Sequence, residues 1–137
     1  YNKPIVIHSR DAEPNCFNIL KEMLPGSWPI HLHCFTGNRD DAFMYLNHFP
    51  NLCIGFTGCI TFKTAEDLRL IIKDIPLDRL LLETDAPYMA PIPFRGKPAH
   101  SNMIPLVAKT IAEVKQLPLE SVCEQTTQNC VRLYRLS

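Results

Sequence analysis

Short apolar runs alternate with longer amphipathic stretches along this chain, and the alternation predicts a regular series of strands and helices. Four runs have the length and composition of buried strands, at 3–9, 28–35, 52–57 and 79–84. Apolar residues recur with a helical period after the first run, where Phe17, Leu20 and Leu24 share one face. The order βαβαβαβ, followed by two further helices, indicates an α/β protein built on a parallel sheet.

Capping and proline signals set the expected helix boundaries. Thr64 and Asp67 resemble a capping box at the start of the third helix. Pro105 suits a first helical turn, and Pro118 separates the last two helices. The expected helices lie at 11–24, from Asn38 or Asp40 to about 48, from Thr64 through Ile75, at 104–116 and at 119–133.

Four strand–helix units fit two architectures. They can form half of a (β/α)8 barrel, which typically needs about 250 residues, or part of a doubly wound sheet. No G-x-G-x-x-G or P-loop pattern follows a strand, which disfavours nucleotide-cofactor folds. The chain begins without Met and enters a strand almost at once, so we interpret 1–137 as one partial domain of a longer polypeptide.

Composition narrows the class of protein only modestly. The charges of the 14 basic and 14 acidic residues cancel, so the net charge does not indicate binding to an extended nucleic acid or to a membrane. No apolar stretch approaches the length of a membrane span, and no signal peptide is visible. Six cysteines without C-x-x-C spacing favour buried, reduced thiols in an intracellular protein of the cytoplasm or nucleus.

Metal-binding side chains follow three different predicted strands. His8, His33 and Asp85 each stand at a carboxyl end, and parallel strands would bring these ends to one rim. Two imidazoles and a carboxylate suit zinc, manganese or a similar divalent ion. His31 offers an alternative H-x-H chelate, but it lies about 6 to 7 Å deeper along the strand. We therefore assign His33 as the ligand and His31 to the packed core.

Four motifs occur in order along the chain. They are Pro-Ile-Val-Ile-His-Ser-Arg-Asp-Ala at 4–12, His-Cys-Phe-Thr-Gly at 33–37, Ile-Gly-Phe-Thr-Gly at 54–58 and Leu-Leu-Glu-Thr-Asp-Ala-Pro-Tyr at 81–88. Together they resemble the TatD family of metal-dependent deoxyribonucleases, in the amidohydrolase superfamily. The resemblance continues through 94–97 and 127–134, covers essentially the whole chain, and is nearest in character to eukaryotic TatD-like proteins.

The resemblance implies a TIM-type barrel of which this chain supplies the fifth to eighth strands. It implies that His8 and His33 are metal ligands, and that Asp85 is both a ligand and an activator of the nucleophilic water. The resemblance also places Glu83 at the active site, where it would be either a catalytic group or an anchor that orients the rim through hydrogen bonds. Two divalent ions are expected in the full-length protein, Mg²⁺ first and Mn²⁺ or Zn²⁺ as alternatives.

The expected substrate is nucleic acid, DNA or possibly RNA. Arg10 on the same rim, and Arg95 and Lys97 in the following loop, are candidates to hold phosphates. The zero net charge suits a strand end or a short segment better than extended duplex.

The chain departs from the family pattern in two places. The family's H-x-H pair on the first strand and glutamate on the fourth have no counterpart here, so the missing half-barrel should lie in the same parent chain. The loop at 96–101 also differs from the usual family sequence. We therefore expect the 137 residues alone to be inactive. Two alternatives stay open: a hydrolase acting on a non-nucleic-acid ester or amide, and an incomplete fragment that serves as an interaction module.

Overall fold

Four parallel strands form one sheet whose spatial order follows the sequence. The computed structural model describes residues 3–136. The strands are β1 Ile5–His8, β2 Ile30–His33, β3 Leu52–Phe56 and β4 Leu80–Leu82. The helices are α1 Glu13–Met23, α2 Arg39–His48, α3 Glu66–Asp74, α4 Ile104–Lys115 and α5 Leu119–Tyr134. Short 3₁₀ turns lie at Gly58–Thr61, Leu77–Arg79 and Ser101–Met103. The predicted parallel α/β arrangement is confirmed.

The main core lies between the sheet and its helices. Ile30, Leu32 and Ile54 are at most 1% exposed, and they pack with apolar side chains of α2, α3 and α4. Every residue of β3 is buried, as expected of a central strand in a parallel sheet. Complete burial of one such side chain contributes about 1.5 to 3 kcal/mol to folding. The apolar runs therefore specify both the strands and the face that the helices cover.

The second face of the sheet is covered partly by the end of α5. Leu133 and Tyr134 pack there against Cys53 of β3 and Leu81 of β4. The fully buried Asn129 fixes the helix in place, because its side-chain amide donates to the carbonyl oxygens of Leu77 and Leu80 at 2.8 and 2.9 Å. The carboxyl-terminal helix thus reaches the same face as the predicted histidines.

The helix-start predictions have mixed outcomes. Asn38 is the N-cap of α2 and accepts the amide of Asp41 at 2.9 Å, so the alternative start at Asp40 is wrong. The capping box at Thr64 is also wrong. The chain turns there through a hydrogen bond from the Ala65 amide to the Phe62 carbonyl, and α3 begins at Glu66 without a side-chain cap.

The remaining sequence expectations concern prolines, cysteines and membrane spans. Pro105 occupies the first turn of α4 and Pro118 precedes α5, as predicted. All six cysteines are free, but only Cys53 and Cys59 are buried, so the expectation of buried thiols is wrong for the other four, of which Cys123 on α5 is exposed. Within residues 3–136, no helix has both the length and the apolar character that crossing a bilayer requires.

Candidate metal centre

The structure brings the three predicted metal ligands to one cavity of about 250 Å³ at the carboxyl ends of the strands. Residues His8 and His33 are paired directly across β1 and β2, which places their ring centroids 4.4 Å apart. Asp85 follows β4, and its Oδ1 lies 3.4 Å from Nε2 of His33. The cavity is lined by His8, Ser9, Arg10, His33, Cys34 and Asp85.

The donor atoms fit a divalent ion. Metal bonds to imidazole nitrogen and carboxylate oxygen are about 2.0 to 2.2 Å long, so two donors on one ion lie about 3 to 3.5 Å apart. The 3.4 Å separation of His33 Nε2 from Asp85 Oδ1 falls in this range. Ser9 adds a buried hydroxyl with no hydrogen-bond partner to the same cavity. The assignment of His8, His33 and Asp85 as ligands stays a prediction with which this geometry agrees.

Glu83 contacts the opposite edge of the His33 ring. Its Oε2 lies 2.5 Å from Nδ1 of His33, and its Oε1 accepts the backbone amide of Cys34 at 2.5 Å. The carboxylate is 9% exposed, so both interactions are largely shielded from water. An ionised carboxylate accepts in both contacts, so Nδ1 of His33 is the donor to Glu83, and Nε2 is directed toward Asp85. Metal-binding histidines typically have such a partner.

His31 lies one pleat deeper and is 7% exposed, as the sequence indicated. Its Nδ1 is hydrogen-bonded to the hydroxyl of Tyr134 at 2.6 Å. Its Nε2 lies 2.8 Å from Glu83 Oε2 without the alignment of a hydrogen bond.

His31, His33 and Glu83 also form a group whose donor atoms lie within 4.8 Å of one another and which can be considered as a second metal site. However, the 2.5 Å between His33 Nδ1 and Glu83 Oε2 is shorter than the roughly 3 Å that two ligands of one ion require. That contact is a hydrogen bond. The geometry therefore favours a metal on the Nε2 side of His33, beside Asp85.

Gly55 allows the histidines and Glu83 to approach the sheet. A Cβ at this position would overlap Oε1 of Glu83 and lie 2.5 Å from Nε2 of His31. Glycine at position 55 is therefore required for this close approach. No side chain larger than hydrogen leaves room for the buried carboxylate.

Of the three predicted phosphate-binding residues, only Arg10 lines the cavity. The guanidinium of Arg95 lies 4.5 Å from the ring centre of Phe62, and the ammonium of Lys97 lies 5.9 Å from that of Phe94. The structure therefore does not bring Arg95 and Lys97 to the candidate ligands.

Sequence reasoning missed several neighbours of the centre. Tyr134 contacts His31 from the end of α5, and a group of sulfur atoms lies behind Cys34, next to Thr57. A hydrogen bond with Cys34 lowers the pKa of Cys59 to about 7, and the same interaction together with burial raises the pKa of Cys34. These contacts join residues that are distant in sequence, so no local sequence motif predicts them.

The comparisons with known proteins agree with this fold. The family model described as TatD related DNase matches residues 1–135. The chain is 40% identical to the uncharacterized metal-dependent hydrolase YabD of Bacillus subtilis, over 99% of this chain and 52% of YabD. It is 38% identical to the human 3'-5' RNA nuclease TATDN2, over 98% of this chain and 18% of that protein.

A solved structure shows the same architecture. The TatD homologue YjjV of Escherichia coli K12 superposes with a TM-score of 0.87 and 29% identity, covering 98% of this chain and 51% of YjjV. The chain therefore has the parallel α/β architecture of this TatD homologue, with its candidate metal ligands at the carboxyl edge of the sheet. The chain belongs to the TatD-related DNase family, and it spans about half the length of YabD and YjjV.

Proposed function

We propose that the full-length protein hydrolyses phosphodiester bonds in nucleic acid with the help of divalent metal ions, Mg²⁺ first and Mn²⁺ or Zn²⁺ as alternatives. The observation that carries the proposal is the orientation of His33. Glu83 binds its Nδ1, and its Nε2 faces Asp85 in the cavity that His8 shares. A divalent ion held by His8, His33 and Asp85 would polarise a phosphoryl oxygen of the substrate and lower the pKa of a bound water.

The side chains of the site would have different roles in this reaction. His8, His33 and Asp85 would hold the metal. Asp85 is partly exposed, so its second oxygen, Oδ2, is able to accept the proton of an attacking water. Glu83 is buried and already accepts two hydrogen bonds, which supports the anchoring role over a catalytic one. Arg10, exposed at the mouth of the cavity, is placed to bind a non-scissile phosphate.

We further propose that the four strands are half of an eight-stranded barrel. They follow one another without the reversal of order that marks a doubly wound sheet. The 51% coverage of YjjV supports the same conclusion. Val6 of the edge strand β1 is 43% exposed on the inner face, so the isolated segment should self-associate unless the other half of the barrel is supplied. Light scattering on residues 1–137 alone tests this expectation, and a stable monomer would contradict it.

DNA and RNA are both candidate substrates. The matching family model is described as TatD related DNase, whereas the human relative TATDN2 is described as an RNA nuclease. The zero net charge fits engagement of a strand end or a short segment. Free thiols at all six cysteines also fit the reducing intracellular compartment that we propose.

The decisive experiment is hydrolysis of matched DNA and RNA oligonucleotides by the full-length protein with Mg²⁺ or Mn²⁺. We expect activity that chelation abolishes and that the double variant His33→Ala, Asp85→Asn loses. Hydrolysis of the oligonucleotides by that double variant would contradict the proposal. A second candidate is hydrolysis of other esters or amides, because YabD is described only as a metal-dependent hydrolase. Turnover of non-phosphate substrates alone would favour it.

A further inference from the structure

Three sulfur atoms converge behind the cavity wall, from residues far apart in sequence. The Sγ of Cys34 lies 3.7 Å from the Sδ of Met89. The hydroxyl of Thr57 lies 3.5 Å from the Cys34 sulfur, 3.3 Å from the Sγ of Cys59 and 3.6 Å from the Met89 sulfur. We call Cys34, Cys59 and Met89 the sulfur cluster. The three sulfur atoms have no part in the hydrolysis proposed above, to which Cys34 contributes only its backbone amide.

The backbone is shaped to bring these sulfurs together. Cys34 and Met89 both have left-handed φ angles, 47° and 56°, which residues other than glycine adopt at a cost. A Cβ at Gly58 would overlap the carbonyl oxygen of Met89, so glycine there lets the loop after β4 approach the turn that carries Cys59. Two uncommon backbone conformations and one close approach therefore meet at the cluster.

The separation of the Cys34 and Met89 sulfurs matches that of two ligands on one metal ion. A metal–sulfur bond of about 2.3 Å places two sulfur ligands about 3.8 to 4.0 Å apart in tetrahedral or trigonal geometry. The 3.7 Å between Cys34 and Met89 is close to this distance. Thr57 is fully buried, and its hydroxyl lies at a similar distance from all three sulfurs. The three soft sulfur atoms thus lie around one buried hydroxyl, within reach of a common ion.

The two cysteines of the cluster each line a cavity. Cys34 lines the 250 Å³ cavity of the candidate metal centre, and Cys59 lines a separate cavity of about 1060 Å³ between α1, α2 and α3. Cys59 itself is 7% exposed. Thiol ligands release their protons to solvent when a metal binds.

We propose that Cys34, Cys59 and Met89 form a binding site for Cu⁺, separate from the site of the hydrolytic metal. Thiolate and thioether sulfurs are soft ligands that select Cu⁺, whereas Mg²⁺ and Mn²⁺ prefer oxygen. The thioether of Met89 favours Cu⁺ over Zn²⁺, whose protein ligands are thiolate, imidazole and carboxylate. The inference does not depend on the hydrolase activity, because it rests on the sulfur geometry alone.

Anaerobic titration of the reduced full-length protein with Cu⁺, in competition with a coloured Cu⁺ chelator, measures the affinity. We expect one tightly bound Cu⁺ per chain. Cys59→Ser and Cys59→Ala should each weaken it at least tenfold, and Met89→Leu should weaken it less. Cys123→Ser is the matched control, because Cys123 is exposed on α5. X-ray absorption at the copper edge should count three sulfur neighbours in the wild type and two in Met89→Leu.

Several results would overturn the proposal. Unchanged Cu⁺ affinity in both folded Cys59 variants would do so, with folding checked by circular dichroism. Equal losses in Cys123→Ser would show binding to exposed thiols alone. Tighter binding of Zn²⁺ than of Cu⁺ would contradict the assignment of the ion. Retention of the copper in a His8→Ala, Asp85→Asn variant is expected, and its loss would contradict a separate site.

Discussion

The hydroxyl of Tyr134 and the Nδ1 of His31, from residues 103 positions apart in sequence, are joined by a 2.6 Å hydrogen bond. Tyr134 is the last residue of α5, and His31 lies in the middle of β2. Because Asn129 ties the same helix to β4, α5 is held against the sheet beside the candidate metal centre. The predictions below test these contacts and the site itself.

Tyr134→Phe should leave His31 without a hydrogen bond, since its Nε2 already has none. We expect the free energy of unfolding to fall by about 1 to 3 kcal/mol, the cost of an unsatisfied buried polar group. Chemical denaturation measures the change, and Tyr88→Phe, at a residue 69% exposed, is the matched control. Metal affinity should stay unchanged. A tenfold loss of metal affinity would instead indicate that His31 is a ligand.

Glu83→Gln should weaken metal binding about 10- to 100-fold, as loss of a ligand's hydrogen-bond partner typically does. The amide has only one acceptor oxygen, so it cannot serve both His33 Nδ1 and the Cys34 amide as the carboxylate does. Calorimetric titration of the full-length protein with Mn²⁺ measures the effect. Glu66→Gln, an exposed acid in the first turn of α3, is the control. Equal affinities for wild type and Glu83→Gln would refute the anchoring role.

Gly55→Ala should disturb both the fold and the site, because the added methyl overlaps Glu83 and crowds His31. Overpacking of this kind costs about 1 to 3 kcal/mol of stability. Thermal unfolding should show the loss, together with weaker metal binding. Gly26→Ala is the control, since its Cβ would meet only the carbonyl oxygen of His48 at 3.3 Å. Equal stability and equal metal affinity in the two variants would contradict the requirement for glycine at position 55.

Asn129→Ala should remove three hydrogen bonds of a fully buried side chain, one accepted from Gln125 and two donated to the carbonyls of Leu77 and Leu80. We expect a loss of about 1 to 3 kcal/mol in the free energy of unfolding. Denaturant titration measures it. Gln128→Ala, at the exposed neighbouring position of α5, should change stability by far less. A similar small effect in both variants would contradict the docking role of Asn129.

Arg10→Ala should raise KM for an oligonucleotide about tenfold or more and leave kcat nearly unchanged, because hydrogen bonds to charged groups contribute about 1.5 to 3 kcal/mol. Steady-state kinetics at two salt concentrations separates the two constants. Lys21→Ala on α1 is a charge-matched control outside the cavity. Arg95→Ala should resemble this control, since Arg95 contacts Phe62 instead. Wild-type KM in Arg10→Ala would exclude the phosphate contact.

Much of the architecture was determined by the sequence through local patterns. Apolar runs specified the strands, and the helical period placed Phe17 and Leu20 against the core. The strand ends then placed His8, His33 and Asp85 at one edge, because parallel strands share their direction. The capping prediction at Thr64 failed because a hydrogen bond between Ala65 and Phe62 decides where α3 begins.

Only the tertiary structure decided how the site is built. The register that pairs residue His8 with His33, the anchoring of His33 by Glu83 and the contact of Tyr134 with His31 all depend on how distant segments pack. The same holds for the sulfur cluster. Periodicity specifies which face of an element is buried. It does not specify which side chains meet across the fold, because that depends on distances set by packing of the whole domain.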